Sequence, residues 1–253
     1  MLIIGHRGAR AEAPENTLSG FRYLRSLGVL CVELDIQVAR DQTLMVVHDQ
    51  QLARTTGIDT TVNQLNAKDL AALDACHTLF PDWPLSEGIP TLMQVMQELS
   101  DFEHIQFEVK AQSAADIATV VTQLPPLLEK FGLLDRALST SFNPFYLQAL
   151  QQAAPWVQRG LLLESWFQGD AIALAQSLNC RSIGPHRLLC QETFVNTAHA
   201  AGLLVSTWTV NEPAEMRLLQ QLGIHSLITD VPVTALNALN QPPYGASPEI
   251  PVP

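Results

Sequence analysis

The chain has 253 residues, 47% of them hydrophobic, which is enough to bury one large core at a length common for a single α/β barrel. A formal charge of −11, with only 14 Lys and Arg and no basic cluster, opposes nucleic acid as a partner, because that affinity rests on cations neutralising phosphates. No apolar run approaches the roughly 18 residues of a membrane span, and the opening MLIIGHRG has no basic segment, long apolar stretch or small-residue cleavage site. A cytoplasmic location without stable membrane association is therefore expected.

Along the chain, short β-branched or apolar runs alternate with longer segments of helical period, the pattern of repeated βα units on a parallel sheet. Strands are predicted over residues 2–5, 32–35, 105–109, 137–140, 160–163, 181–184, 203–207 and 226–229. Helices are predicted near 17–27, 91–100, 113–131, 144–152, 168–178, 191–201 and 212–222, with Asn16 placed to cap the first and Gly28 to close it. A further apolar run, 44–47, follows 36–38 across a turn containing Asp41 and Gln42. So short a connection demands an antiparallel hairpin, since a parallel crossover needs a dozen or more residues. The hairpin climbs past Asp35 and returns His48 to the barrel mouth. The expected architecture is a (β/α)8 TIM barrel formed by residues 1–240 as a single domain, with a small insertion at about 50–90 near the C-terminal mouth. That insertion is predicted to hold one short helix near 66–73, and the Pro-rich tail, 241–253, to be a frayed end. Cys31, Cys76, Cys180 and Cys190 show neither a CxxC pair nor framework spacing and read as buried, reduced thiols, as in the cytosol.

In such a barrel the chemistry sits at the C-terminal ends of the strands. His6 and Arg7 end the first strand, Glu33 and Asp35 the second, Glu108 and Lys110 the third, and Glu164, His186, Trp208 and Asp230 end later ones. Only the first three positions form a chemically coherent group. Residues two apart on a strand share a face, so Glu33 and Asp35 point together into the mouth, as do Glu108 and Lys110. Three carboxylates converging there repel one another unless a cation lies among them, and all-oxygen ligation indicates Mg²⁺ or Ca²⁺. His6 and His48 are the candidates for proton transfer, because imidazole titrates nearest neutral pH. Arg7 and Lys110 offer fixed positive charge for phosphate oxygens, a role compatible with ion pairs to Glu33 or Glu108. His77, His104, His199 and His225 read as structural, His186 lacks a partner motif, and Asp49 reads as a turn or supporting residue rather than a ligand.

The string GHRGARAEAPENTLSGF, followed by VELDIQ, VVHD with LARTTG, IPTL, FEVK, STSF, GLLLE, AAGLLVSTWTVNEP and LITDVP, resembles the glycerophosphodiester phosphodiesterase family in order and spacing up to about Pro232. HRG and PENT combined with ELD and HD form the specific part. The stretch QQAAPWVQRGLLLESW is similar to the cytosolic bacterial branch. The resemblance implies the barrel, a divalent cation, and hydrolysis of glycerophosphodiesters, a small-molecule substrate class, to sn-glycerol 3-phosphate and an alcohol. It also implies His6 and His48 as the acid/base pair, Glu33, Asp35 and Glu108 as metal ligands, and Arg7, Lys110 and Trp208 as substrate contacts. The leaving alcohol is expected to matter little, because the glycerol and phosphate are the recognised elements. One departure lies at DACHTLFPDWPLSEGIPTL, where the family more usually has a glycine-containing, aromatic run. The competing readings are lysophospholipase D or phospholipase D-like activity on lysolipids, for which Leu79, Phe80 and Trp83 would offer the apolar surface, and a barrel that binds glycerophosphate-like ligands without catalysis.

Overall fold

A strand covered on both sheet faces has no use for alternation of polar and apolar residues, and Cys31–Val38 is accordingly buried at all eight positions although it carries Glu33, Asp35 and Gln37. In the computed structural model, which describes residues 1–240, this is the second of nine strands. They are β1 Leu2–His6, β2 Cys31–Val38, β3 Leu44–Val46, β4 His104–Val109, β5 Ala137–Ser141, β6 Arg159–Leu163, β7 Ser182–Pro185, β8 Leu204–Thr207 and β9 Ser226–Thr229. All except β3 run parallel, and β1 pairs with both β9 and β2, which closes an eight-stranded barrel. The predicted frayed tail, 241–253, lies outside the described residues.

The α-helices among the described residues are α1 Leu18–Ser26, α2 Ala53–Thr56, α3 Ala67–Leu70, α4 Leu92–Glu98, α5 Ala114–Lys130, α6 Pro144–Ala153, α7 Ala171–Ser177, α8 Glu192–Ala200, α9 Pro213–Gln221 and α10 Pro232–Ala238. Seven match predicted helices of the barrel. The eighth, α10, was not foreseen: Pro232 starts it, but its seven residues are too few for a helical period to stand out. One capping assignment is corrected. Thr17, not Asn16, caps α1, its hydroxyl accepting from the Gly20 amide at 3.0 Å. Asn16 stands one residue earlier with φ of +55° and donates its side-chain amide to Asp35 Oδ2 at 2.9 Å. Gly28 does close the helix, at φ of +73°.

The predicted hairpin is present, β3 lying antiparallel on β2 with Val38 opposite Leu44 and Ile36 opposite Val46. The second strand runs on to Val38, beyond its predicted end at Asp35, because its last residues gain β3 on one edge while Ile36 pairs with Val109 on the other. The insertion holds α2 and a 3₁₀ turn, Val62–Gln64, besides the predicted helix, here α3. Met45, Val47, Leu52, Val62, Leu70 and Ile89 form a separate apolar cluster between hairpin and insertion. Full burial of such side chains contributes about 1.5–3 kcal/mol each, and this cluster fixes the height at which the hairpin delivers His48. Gln37 reinforces it by donating to the backbone carbonyl of His48 at 2.6 Å. All four cysteines are free and buried. No helix among the described residues is long and apolar enough to cross a membrane.

Candidate active site

Strand register builds the site. The β1–β2 ladder sets His6 beside Glu33, and the β2–β4 ladder sets Asp35 beside Glu108. With Glu33 and Asp35 two apart, all three carboxylates project to one place, where one oxygen from each lies within 4.8 Å of the others. Glu33, Asp35 and Glu108 are all buried. Burial first, then the charges of Asp35 and Glu108, push the Glu33 carboxyl well above its ordinary range. Burial acts the same way on Asp35, but Lys110 and Arg7 outweigh it and hold that group below the usual carboxylate range. Glu108 is raised by burial, with Lys110 opposing. Glu33 Oε1 has no hydrogen-bond partner, and Asp35 Oδ1 and Glu108 Oε1 meet only the Lys110 ammonium. Three converging, buried oxygens of hard carboxylates are the donor set that a divalent cation takes, so these residues fit one.

Two fixed cations border the cluster. Lys110 ion-pairs with Asp35 Oδ1 at 3.1 Å and with Glu108 Oε1 in closer contact. Arg7 is buried and pairs through Nε with Asp35 Oδ2 at 3.2 Å and through Nη1 with Glu15 at 3.1 Å, so its side-chain partners are Asp35 and Glu15 and not Glu33 or Glu108. Its link to Glu33 is through the backbone amide, which donates to Oε2 at 3.1 Å. The chain reaches this position by a tight reversal. Arg7 has φ of +52°, a left-handed conformation unusual for a side-chain-bearing residue. A Cβ on Gly5 would stand 2.0 Å from the Gly8 carbonyl oxygen, so the turn closes only over glycine.

Each histidine is tethered by a carboxylate. His6 Nδ1 lies 2.5 Å from Asp230 Oδ1, while its Nε2 is 3.8 Å from Glu33 Oε2. Asn211 donates to Asp230 Oδ2 at 2.9 Å and accepts from the Asp230 backbone amide at 3.0 Å, holding that residue by both its side chain and its backbone. Burial would raise the Asp230 carboxyl, but the hydrogen bond from His6 prevails and brings it down to about 2. His48 Nδ1 lies 2.7 Å from Asp49 Oδ1, and Arg54 contacts the other oxygen of Asp49. Arg54 also binds Glu15, which links the His48 side of the mouth to Arg7. A carboxylate at Nδ1 fixes that nitrogen as the donor and leaves Nε2 as the working atom.

Asp230 is the residue that sequence reasoning left outside the coherent group. The available signal was barrel closure: the last strand must lie beside the first, and Thr229 does pair with Gly5. Trp208 lies at the same end, lining a cavity of about 20 Å³ with His6, Glu33 and Glu108. Its indole donates to the Gly184 carbonyl at 2.9 Å and its ring meets Phe142 and His186 edge-on at 5.3 and 5.2 Å. His186 accepts from the Leu188 amide and thereby starts a short 3₁₀ turn. Trp83 packs against Tyr23 and Phe80 and donates to Ser19, so the apolar segment of the insertion lies along α1. His104, at the opposite end of its strand, is pushed down to about 4 by burial.

The chain is similar in sequence and in fold to several glycerophosphodiester phosphodiesterases. A glycerophosphodiester phosphodiesterase of Caldanaerobacter subterraneus subsp. tengcongensis is 27% identical over 246 residues, covering 95% of this chain and 98% of the relative. Glycerophosphodiester phosphodiesterase 1 of Mus musculus is 28% identical over 264 residues, covering 90% and 77%. Among solved structures, an Oleispira antarctica phosphodiesterase in complex with the product sn-glycerol-3-phosphate superposes with a TM-score of 0.88 at 25% identity, covering 95% of this chain and 97% of that one. The sequence profile of the glycerophosphoryl diester phosphodiesterase family matches residues 6–234, a span that opens on His6 and runs past Asp230, and the chain belongs to that family.

Proposed function

We propose that this protein hydrolyses glycerophosphodiesters to sn-glycerol 3-phosphate and an alcohol, with Mg²⁺ or Ca²⁺ held by Glu33, Asp35 and Glu108. The observation that carries the reading is the pair of histidines, each tied at Nδ1 to a carboxylate, bordering three buried carboxylates. Family membership and the product named for the Oleispira antarctica structure support it. A divalent cation in that cluster supplies Lewis-acid stabilisation of phosphate charge. Arg7 and Lys110 add two fixed positive charges for the non-bridging oxygens, and Trp208 offers a flat wall to the substrate. One of His6 and His48 takes a proton from the attacking oxygen; the other gives one to the departing alkoxide. Residues 1–240 act as one catalytic domain in the cytoplasm, consistent with four unpaired, buried cysteines.

The test is release of sn-glycerol 3-phosphate from glycerophosphocholine, with and without EDTA, followed by addition of Mg²⁺ or Ca²⁺. Activity is expected to vanish on chelation and to return with the cation. Full activity after chelation would remove the metal from the mechanism. Turnover of a lysophospholipid in place of the soluble diester would transfer the assignment to lysophospholipase D chemistry.

A further inference from the structure

On the His48 side of the carboxylates a cleft of about 430 Å³ opens between the β2–β3 hairpin, the insertion and the loop that follows β4. His48 and Lys110 form its inner end, so it begins where the phosphate is proposed to sit, and Gln50, Asn63, Gln112 and Asp116 line its outer part. Of its lining residues, only Val38 and Ala111 are hydrophobic, and none is aromatic. Gln50 and Gln112 form no side-chain hydrogen bond among the described residues. Asn63 spends its carbonyl oxygen on the Thr61 hydroxyl at 2.8 Å and keeps its amide hydrogens available.

We infer that this cleft is a subsite for the departing alcohol and that it selects a hydroxylated one, a polyol. The inference rests on the proposed phosphodiesterase reading and deepens it, replacing the expectation that the leaving alcohol matters little. A phosphodiester placed between His6 and His48 directs its two ester oxygens to opposite sides, and a cleft of about 430 Å³ opens on the His48 side. The roomy, open side suits the substituent that varies between substrates. Carboxamides both donate and accept, which matches adjacent hydroxyls that do the same. An acyl chain would find only two hydrophobic side chains there, Val38 and Ala111, among eight polar or charged residues. A quaternary ammonium would find no aromatic face to stack on, and the one carboxylate among the lining residues, Asp116, already accepts from the Ser113 hydroxyl at 2.6 Å.

The experiment compares two esters of glycerol 3-phosphate that differ only in the departing alcohol, glycerol against ethanol, on the metal-loaded enzyme. The wild type is expected to favour the glycerol ester by about tenfold in kcat/KM, the scale of one or two hydrogen bonds to a substrate hydroxyl. Combining Asn63→Leu with Gln112→Leu, both on exposed side chains, is expected to bring that ratio close to one, with the thermal midpoint checked for an intact fold. Equal kcat/KM for the two esters in the wild type would overturn the inference. So would an equal fall on both esters in the double variant, which would mean that the cleft holds the glycerol common to both. No turnover of either ester would overturn the phosphodiesterase reading itself.

Discussion

His6 and His48 are each tied at Nδ1 to a carboxylate, by different routes. Asp230, the partner of His6, is itself held by Asn211, whereas Asp49, the partner of His48, is held by Arg54 and is its immediate neighbour in sequence. If each ring moves one proton, His6→Ala and His48→Ala are each expected to lower kcat by roughly 10² to 10⁴ with much smaller effects on KM, and the double variant to lose far less than the product. Near wild-type kcat in either single variant would take that residue out of the mechanism. Asp230→Asn preserves shape but no longer dictates that Nδ1 carries the proton, so kcat is expected to fall roughly 10- to 100-fold with KM little changed. The ¹⁵N shifts of the His6 ring report the same event, because a mixture of tautomers replaces a single one. An unaltered tautomer in Asp230→Asn would show that other contacts orient the ring.

At the level of elements, the mouth is held together by loops that converge on Glu15. This carboxylate accepts from Arg7 on the turn after β1 and from Arg54 on α2, and it pairs with Arg10 as well. Burial would raise Glu15, but Arg54 and Arg7 outweigh it and hold the group below its ordinary value of 4.5. A folded-state pKa below the unfolded one means that the folded chain binds fewer protons there. The contribution to stability is therefore complete above about pH 4.5 and is lost as pH falls through the lower, folded value. Glu15→Gln is expected to cost about 1–3 kcal/mol at pH 7, since it removes one of the two carboxylates that pair with the buried Arg7 guanidinium, and to flatten the acid limb of the stability curve. Urea titrations at pH 7 and below 4.5 measure both effects. An equal loss at the two pH values would separate Glu15 from acid stability.

For the whole molecule, the carboxylate cluster couples ligand binding to folding. Glu33, Asp35 and Glu108 come from two strands that only the closed barrel brings into register, so a cation bound there binds the folded state alone. At a free concentration about a hundred times its Kd, Mg²⁺ or Ca²⁺ is expected to raise Tm by roughly 5–10 °C. Glu33→Gln, Asp35→Asn and Glu108→Gln should each reduce that rise; Glu33→Gln and Glu108→Gln should leave the metal-free protein folded, since removal of a carboxylate raised by burial and its neighbours relieves repulsion, whereas Asp35→Asn also gives up its ion pairs with Arg7 and Lys110. Thermal scans with EDTA and with added cation provide the check. A wild-type Tm indifferent to the cation would mean that these carboxylates hold none.

The local pattern of residues determined a great deal here. Runs of buried strand residues and amphipathic segments recur at βα spacing, and a connection too short for a crossover forces the hairpin at residues 38–44, so the barrel and the return of His48 are legible without coordinates. Spacing by two likewise predicts that Glu33 and Asp35 share a face. What the tertiary structure decided are contacts between residues far apart in the chain. Asp230 meets His6 across 224 positions because the last strand closes on the first, and no local period encodes that meeting. Asn16, a plausible helix cap by type, turns its amide to Asp35, because the left-handed turn there aims the side chain inward and leaves the cap to Thr17. The pairing of Arg7 with Asp35 and Glu15, and the polar cleft beyond His48, follow from how three separate loops pack at the mouth. Loop packing depends on the whole barrel beneath it, whereas strand periodicity is written residue by residue.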